Sequence, residues 1–111
     1  MYIVLIPNTT NMKYKFHHDA GHGWLAVKFS ELKELGVETQ ISAYSYMGDK
    51  EYNDNTIVYL EEDCDYGVFF SSYREKHGEN PKEECVYDGN SSRIRNYFSY
   101  TCEKNIYAER A

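Results

Sequence analysis

The sequence predicts a single small α+β domain, built from an antiparallel sheet and two short helices. The chain has 111 residues, which is the length of one domain rather than two. Aromatic residues make up 16% of it, which is too many for a disordered chain. Short segments that alternate apolar and polar residues recur along the chain, and two further segments carry the start and stop signals of helices.

We divide this domain into three parts. Residues 1–11 have the composition of an edge strand or a loosely held arm, and residues 12–80 form the core that carries the motifs. Residues 81–111 form a C-terminal extension. Within it, residues 85–87 resemble a strand, and residues 93–100 fit either a strand or a helix.

The first two predicted strands flank a turn. Within residues 12–18, Tyr14 and Phe16 alternate with polar residues, as in a half-buried strand. Residues 19–23 contain two glycines, which permit a tight connection. Residues 24–29 have the composition of the second strand.

A short helix and a pair of strands come next. Ser30 is a good N-cap and Gly36 can end a helix in the left-handed conformation, so residues 30–35 are predicted to be helical. Residues 41–47 and 56–60 have strand composition on either side of a long polar loop. This arrangement predicts an antiparallel pair.

The second predicted helix spans residues 66–77. Asp63 and Asp65 precede it and are predicted to form an acidic N-terminal cap, and Gly78 follows its end. Its apolar residues lie near one face, which is typical of a helix that packs on a core.

The charge balance bears on the choice of partner. Twelve basic against 18 acidic side chains give a net charge of −6. This excess of acid argues against a protein that grips a nucleic acid backbone through a basic face, so we expect no direct nucleic acid contact. It suits a partner with a basic surface.

Membrane and secretory segments are not expected. The longest apolar run, residues 2–7, is far shorter than the roughly 20 residues that span a bilayer, and it lacks the features of a signal peptide. The three cysteines, Cys64, Cys85 and Cys102, are odd in number and widely spaced. They predict free thiols or a metal ligand inside a cell rather than a disulfide framework.

A cluster of histidines suggests a metal ion. His17, His18 and His22 fall within six residues, with Asp19 among them. Imidazole is the commonest metal ligand among side chains, and a turn that brings His22 back beside His17 or His18 would place two nitrogens near one ion. Because alternate residues of a strand point to opposite faces, not all three histidines need bind.

Cys64 is the best further ligand. It lies at the start of the second predicted helix, where the helix N-terminus would lower the pKa of its thiol and favour the thiolate that binds zinc. We therefore predict a mixed zinc site with His17, His18, His22 and Cys64 as candidate ligands. Which of His17 and His18 binds is left open, and Asp63 or Asp65 is a further candidate to complete the site. The alternative is that the histidines lie on a strand surface and in a turn, and that Cys64 is a buried apolar residue. The acidic segment 61–65 is either a solvated strand end or a magnesium or calcium site.

Catalysis has less support, and we expect no enzyme. No cysteine-hydrolase signature, phosphate loop or dinucleotide fingerprint is present in the sequence. The alternative is a small metal-dependent hydrolase or nuclease. In it His17, His22 and Cys64 would hold the metal, and Glu61 or Asp63 would act as base.

Four tyrosines and two arginines leave further alternatives open. The tyrosines belong either to the core and sheet faces or to an interface, and the arginines either form a solvated surface or contact phosphate or a partner carboxylate. These residues are Tyr44, Tyr46, Tyr59, Tyr66, Arg93 and Arg95.

Three segments together resemble a family of small proteins from bacteriophages and mobile elements. These segments are DAGHGWL (19–25), YSY (44–46) and VYLEEDCD (58–65). The family carries a GHGW turn and a YLEEDCD segment, and the likeness covers about residues 13–78. The positions that match its motifs are Gly21, His22, Gly23, Trp24, Glu61, Glu62, Asp63, Cys64 and Asp65.

The resemblance implies an accessory protein that acts in the cytoplasm of a bacterial host. Some type II anti-CRISPR proteins are similarly small and acidic, which makes a host-defence effector such as Cas9 the expected partner. An acidic, tyrosine-rich surface can occupy a basic nucleic-acid channel of such an effector. Any zinc would then be structural.

Overall fold

A computed structural model describes the fold of residues 13–102. The predicted edge strand or arm over residues 1–11 lies outside the described residues. The fold is a single compact domain of α+β class, which confirms the predicted class. No helix in the described range is long and apolar enough to cross a membrane.

Residues 13–102 form six strands and two helices. The strands are β1 (Lys13–His18), β2 (Gly23–Lys28), β3 (Tyr46–Met47), β4 (Ile57–Glu61), β5 (Lys82–Tyr87) and β6 (Phe98–Ser99). The helices are α1 (Phe29–Leu35) and α2 (Tyr66–His77), and two 3-10 turns span Glu38–Gln40 and Arg93–Asn96.

The strands form one sheet in the order β5-β1-β2-β4-β3-β6. All neighbours are antiparallel except β1 and β5, which run parallel. The sheet is therefore mixed rather than wholly antiparallel as predicted. The C-terminal extension supplies both edge strands, so residues 82–99 belong to the same sheet as the core.

One face of the sheet carries the hydrophobic core. Leu25, Val58 and Leu60 are fully buried there, and Tyr14 packs edge-on against Phe69 of α2 with ring centroids 5.3 Å apart. The period of two along each strand sends the intervening side chains to the other face. We call this second surface the open face.

Residues 42–45 form a turn, although a strand is predicted over residues 41–47. The carboxylate of Asp65 accepts hydrogen bonds from the Ser42 backbone N–H at 3.0 Å and from the Ser42 and Ser45 hydroxyls. Local alternation in the sequence does not reveal this contact, which comes from a residue 20 positions away. Asp65 occupies the N-cap position of α2, but its side chain makes no capping bond, so the predicted acidic cap is wrong.

The predicted cap of α1 is also wrong, whereas both predicted helix ends are confirmed. The helix begins at Phe29, one residue early, and the Phe29 and Ser30 N–H groups donate to backbone carbonyls of the 54–56 segment at 2.9 and 3.0 Å. These carbonyls replace a side-chain cap. Gly36 and Gly78 end the helices with φ of +74° and +77°, where a residue without Cβ is favoured.

A glycine at the start of β2 is required by close packing. A Cβ atom on Gly23 would overlap the ring of Phe16, which packs on Tyr66. We expect Gly23→Ala to lower the free energy of unfolding by about 1–3 kcal/mol, because that ring must leave its place. Denaturant unfolding followed by circular dichroism measures the change.

The matched control is Gly67→Ala in α2, where an added Cβ meets nothing within 4 Å. This substitution is expected to raise the free energy of unfolding by about 0.5–1 kcal/mol, since alanine is the better helix former. Equal stability of the two variants would contradict the packing argument.

Candidate functional site

The three motif segments meet at one end of the sheet. Trp24 of β2 lies opposite Glu61 of β4, and the backbone N–H of Glu62 donates to the carbonyl of Gly23 at 3.0 Å. The turn before β3 adds Tyr44 to the same place. Together they surround a cavity of about 280 Å³, here called the motif cavity, lined by His22, Trp24, Tyr44, Tyr46, Glu61, Asp63, Cys64 and Arg95.

Glu61 organises the floor of the motif cavity. Its residue is only 7% exposed, and its Oε1 accepts the backbone N–H groups of Asp63 and Cys64 at 2.9 and 3.0 Å. Its other oxygen, Oε2, lies 3.4 Å from Nδ1 of His22. The carboxylate therefore fixes the acidic turn after β4 and faces the imidazole across the cavity.

Three side chains have donor atoms close enough to share a metal ion. One ligand atom each from His22, Glu61 and Asp63 lies within 4.8 Å of the other two. One nitrogen and two carboxylate oxygens form a donor set that zinc accepts, with a further position left for water or substrate. The sequence predicted Glu61 as a base or as part of a magnesium or calcium site, but not as a zinc ligand, because its approach to His22 depends on the pairing of β4 with β2.

The predicted ligands are divided between separate places. His22 and Cys64 line the motif cavity. His17 lies on the open face with Nδ1 3.2 Å from Oδ1 of Asp88, and His18 lies on the helix side, where its ring stacks on Phe16. Neither His17 nor His18 lines the motif cavity.

Cys64 does not have the predicted lowered pKa. Its residue is exposed, yet desolvation of the thiol raises the pKa, and the hydrogen bond to Glu61 raises it further. The negative charges of Glu61, Asp65 and Asp63 act in the same direction. Desolvation, followed by these acids, outweighs any effect of the helix on the thiol pKa, so the thiolate is disfavoured.

Trp24 contributes a buried donor to the wall of the motif cavity. The residue is 2% exposed, and its indole N–H has no acceptor within residues 13–102. Its ring lies 5.4 Å from the guanidinium carbon of Arg95 and 6.1 Å from the His22 ring. Since a buried donor without a partner costs about 1–3 kcal/mol, an acceptor atom delivered by a ligand would be favoured here.

An ion pair between the buried Asp19 carboxylate and the partly exposed Arg95 guanidinium supports this wall. The Asp19 carboxylate accepts two hydrogen bonds from Arg95, at 2.6 and 2.9 Å, and one from the backbone N–H of Ser92 at 2.8 Å. It also accepts the N–H groups of Gly21 and His22, both at 2.9 Å. Arg95 is therefore a structural residue, and Asp19 positions both the GHGW turn and the cation behind Trp24.

Comparisons with protein-family models, with curated proteins and with solved structures find no match to this chain. The resemblance to small phage proteins therefore stays a prediction. The residues that carry this resemblance supply seven of the eight side chains that line the motif cavity, all except Arg95.

The Asp19–Arg95 pair makes folding depend on pH. Arg95, followed by the backbone bond from Ser92, holds the pKa of the Asp19 carboxyl well below its usual range. A carboxyl group with a lowered pKa stabilises the fold above its unfolded pKa of about 4, and this contribution is lost as the pH falls. We expect the melting temperature to fall below pH 4, and to fall less steeply in Asp19→Asn, which is also less stable at pH 7.

Circular dichroism melts between pH 7 and pH 3 measure this dependence. Asp54→Asn is the control, because Asp54 is a surface residue in an exposed ion pair with Lys33. Its melting temperature should change with pH as steeply as that of the wild type. If the melting temperature of Asp19→Asn also changes this steeply, Asp19 is not the source of the pH dependence.

Proposed function

We propose that the protein is a non-enzymatic binding protein that inhibits a host-defence nuclease complex, with Cas9 as the first candidate. In this proposal it acts in the cytoplasm of a bacterial host, by direct contact through the rim of the motif cavity. The observation that carries the proposal is the exposure of Tyr44, which leaves 71% of a large aromatic residue in solvent at the mouth of this cavity.

The surroundings of Tyr44 support a contact with a basic protein. Tyr46 lines the same cavity and is half-buried, and the turn after β4 adds the exposed acids Glu62 and Asp63. Tyrosine gives a large contact area at low entropic cost and is enriched at binding hot spots. Acidic groups beside it steer and align a partner of opposite charge.

Two substitutions at the rim test this proposal. Tyr44→Ala and Asp63→Asn are each expected to weaken the complex with Cas9 and its guide RNA by at least about tenfold, and to relieve inhibition of DNA cleavage. Biolayer interferometry measures the affinity, and a plasmid cleavage assay measures the inhibition. Raised salt should weaken the wild-type complex as well.

The matched control is Tyr87→Ala. Tyr87 is 61% exposed but lies on the edge strand β5, outside the motif cavity. This variant should bind as the wild type does. The proposal fails if a panel of defence effectors, Cas9 included, forms no complex with the wild-type protein and cleaves DNA undisturbed.

A second candidate function is a metal-dependent hydrolase or nuclease. The cluster of His22, Glu61 and Asp63 favours it, because these residues present the donor set described above beside the unpartnered N–H of Trp24. A metal with an open position lowers the pKa of its bound water and makes a nucleophile at neutral pH. Under the first candidate, zinc at the same cluster would be structural.

Metal content separates these candidates. For protein purified without an affinity tag, we expect about one zinc per chain by elemental analysis. The zinc should be lost in His22→Ala and Glu61→Gln but kept in His17→Ala, because His17 lies outside the motif cavity and contacts Asp88. If the Cys64→Ser variant retains its zinc, the Cys64 thiol is not an essential ligand.

Chelation then distinguishes the roles of the zinc. A structural ion raises the melting temperature, so chelator should lower it without exposing any turnover. Hydrolysis of a phosphodiester substrate that stops on chelation and returns with zinc would favour the enzyme. If chelator leaves the melting temperature unchanged and the wild-type protein contains no zinc, the proposed zinc site is rejected.

A further inference from the structure

A group of cations lies on the open face, away from the motif cavity. Lys13, Lys15, Lys28 and Arg93 are all exposed. None of the four forms an ion pair with another residue between positions 13 and 102. Their charges are therefore available to a ligand.

The strand register explains why these cations share one surface. Tyr14 and Phe16 of β1 point towards α2, so Lys13 and Lys15 point to the open face. In β2, Val27 is buried in the core, and the next residue, Lys28, projects to the open face.

Two adjoining cavities run across this surface. The larger, of about 490 Å³, is lined by His17, Tyr59, Arg93 and Tyr97, among others. The second, of about 350 Å³, is lined by His17 and Tyr59 again and by the three lysines of the open face. Because they share His17 and Tyr59, the cavities form one continuous track with cations at both ends.

Aromatic rings occupy the middle of this track. The centroids of Tyr59 and Tyr97 are 5.3 Å apart, and the His17 ring meets Tyr59 edge-on at 6.0 Å. Both tyrosines are half-buried, so each is held by the protein and still exposes part of its ring. Burial raises the pKa of Tyr59, which keeps its phenol neutral.

Four acids lie near the track, and three of them already have partners. Asp49, whose charge acts on Tyr59, accepts a hydrogen bond from the Thr56 hydroxyl at 2.9 Å. Asp88 accepts a hydrogen bond from the Ser92 hydroxyl at 2.7 Å and contacts His17, and Glu31 accepts the Tyr14 hydroxyl at 2.6 Å. The fourth, Glu84 of β5, lies beside Lys15 in the register. Four cations and His17 therefore face one acid that has no such partner among the described residues.

We propose that the open face binds single-stranded nucleic acid. Unpaired bases would stack on Tyr59 and Tyr97, and the backbone phosphates would follow the lysines and Arg93. Stacking on aromatic side chains with cations along the backbone is the general means by which proteins hold single strands. A duplex keeps its bases stacked inside and cannot use the tyrosines in this way.

The net charge of −6 does not oppose this binding. At physiological ionic strength, charges more than about 8–10 Å from a bound nucleic acid are largely screened. The nucleic acid therefore responds to the cations close to it. The net charge alone predicts no nucleic acid contact, because composition does not reveal which charges share a face. This proposal uses no residue of the motif cavity, so it stands or fails independently of the proposed function.

Fluorescence anisotropy with a labelled oligothymidine of about ten nucleotides tests the proposal. We expect binding at low ionic strength that weakens as salt is raised. The logarithm of the binding constant should fall against the logarithm of the salt concentration with a slope of about 0.7 per phosphate neutralised. The double variant Lys13→Ala/Lys15→Ala should bind at least about tenfold more weakly and show a smaller slope. Tyr97→Leu should also weaken binding about tenfold, through lost stacking.

Lys76→Ala is the control, because Lys76 is an exposed lysine on α2, which packs on the other face of the sheet. It should bind as the wild type does, and melting temperatures should show that every variant is folded. Three results would overturn the proposal: no binding at low salt, an equal loss in Lys76→Ala, or equal competition by a duplex of the same length. Displacement by polyglutamate at matched charge would also overturn it, in favour of an acidic protein partner.

Discussion

The carboxylate of Asp19 joins parts of the chain that are more than 70 residues apart. It receives two backbone N–H groups from the turn after β1, and it receives Arg95 and the Ser92 N–H from the C-terminal segment. A carboxylate that is buried and accepts several charge-assisted bonds stays ionised and holds its donors in fixed directions. The position of His22 and the packing of Arg95 on Trp24 both depend on this one group.

Much of the fold follows from local pattern, and the differences arise from long-range contacts. Gly36 and Gly78 end their helices as predicted, because the left-handed conformation is a local property of glycine. The cap of α1 and the turn at residues 42–45 depend instead on partners far along the chain. The parallel pairing of β5 likewise depends on how the chain returns after α2, and no pattern within six residues specifies it.

The site was predictable to a similar degree. The motifs identified His22, Asp63 and Cys64, because unusual polar residues beside glycines or strand ends stand out in a sequence. They did not show that His17 and His18 lie apart from the motif cavity. Alternation sends His18 to the helix side, whereas His17 shares the open face with Trp24 but contacts Asp88 instead of the cavity. Arg95 was not predictable as part of the wall, because only the folded chain brings it behind Trp24.

Two regions of the open face have opposite character, because Trp24, Tyr46 and Glu61 share the strand alternation of His17 and Tyr59. Acids and exposed Tyr44 surround the motif cavity, whereas lysines and half-buried tyrosines line the track. Net charge averages over both surfaces and so describes neither. The two proposals therefore depend on separate regions of one sheet face, each with its own residues.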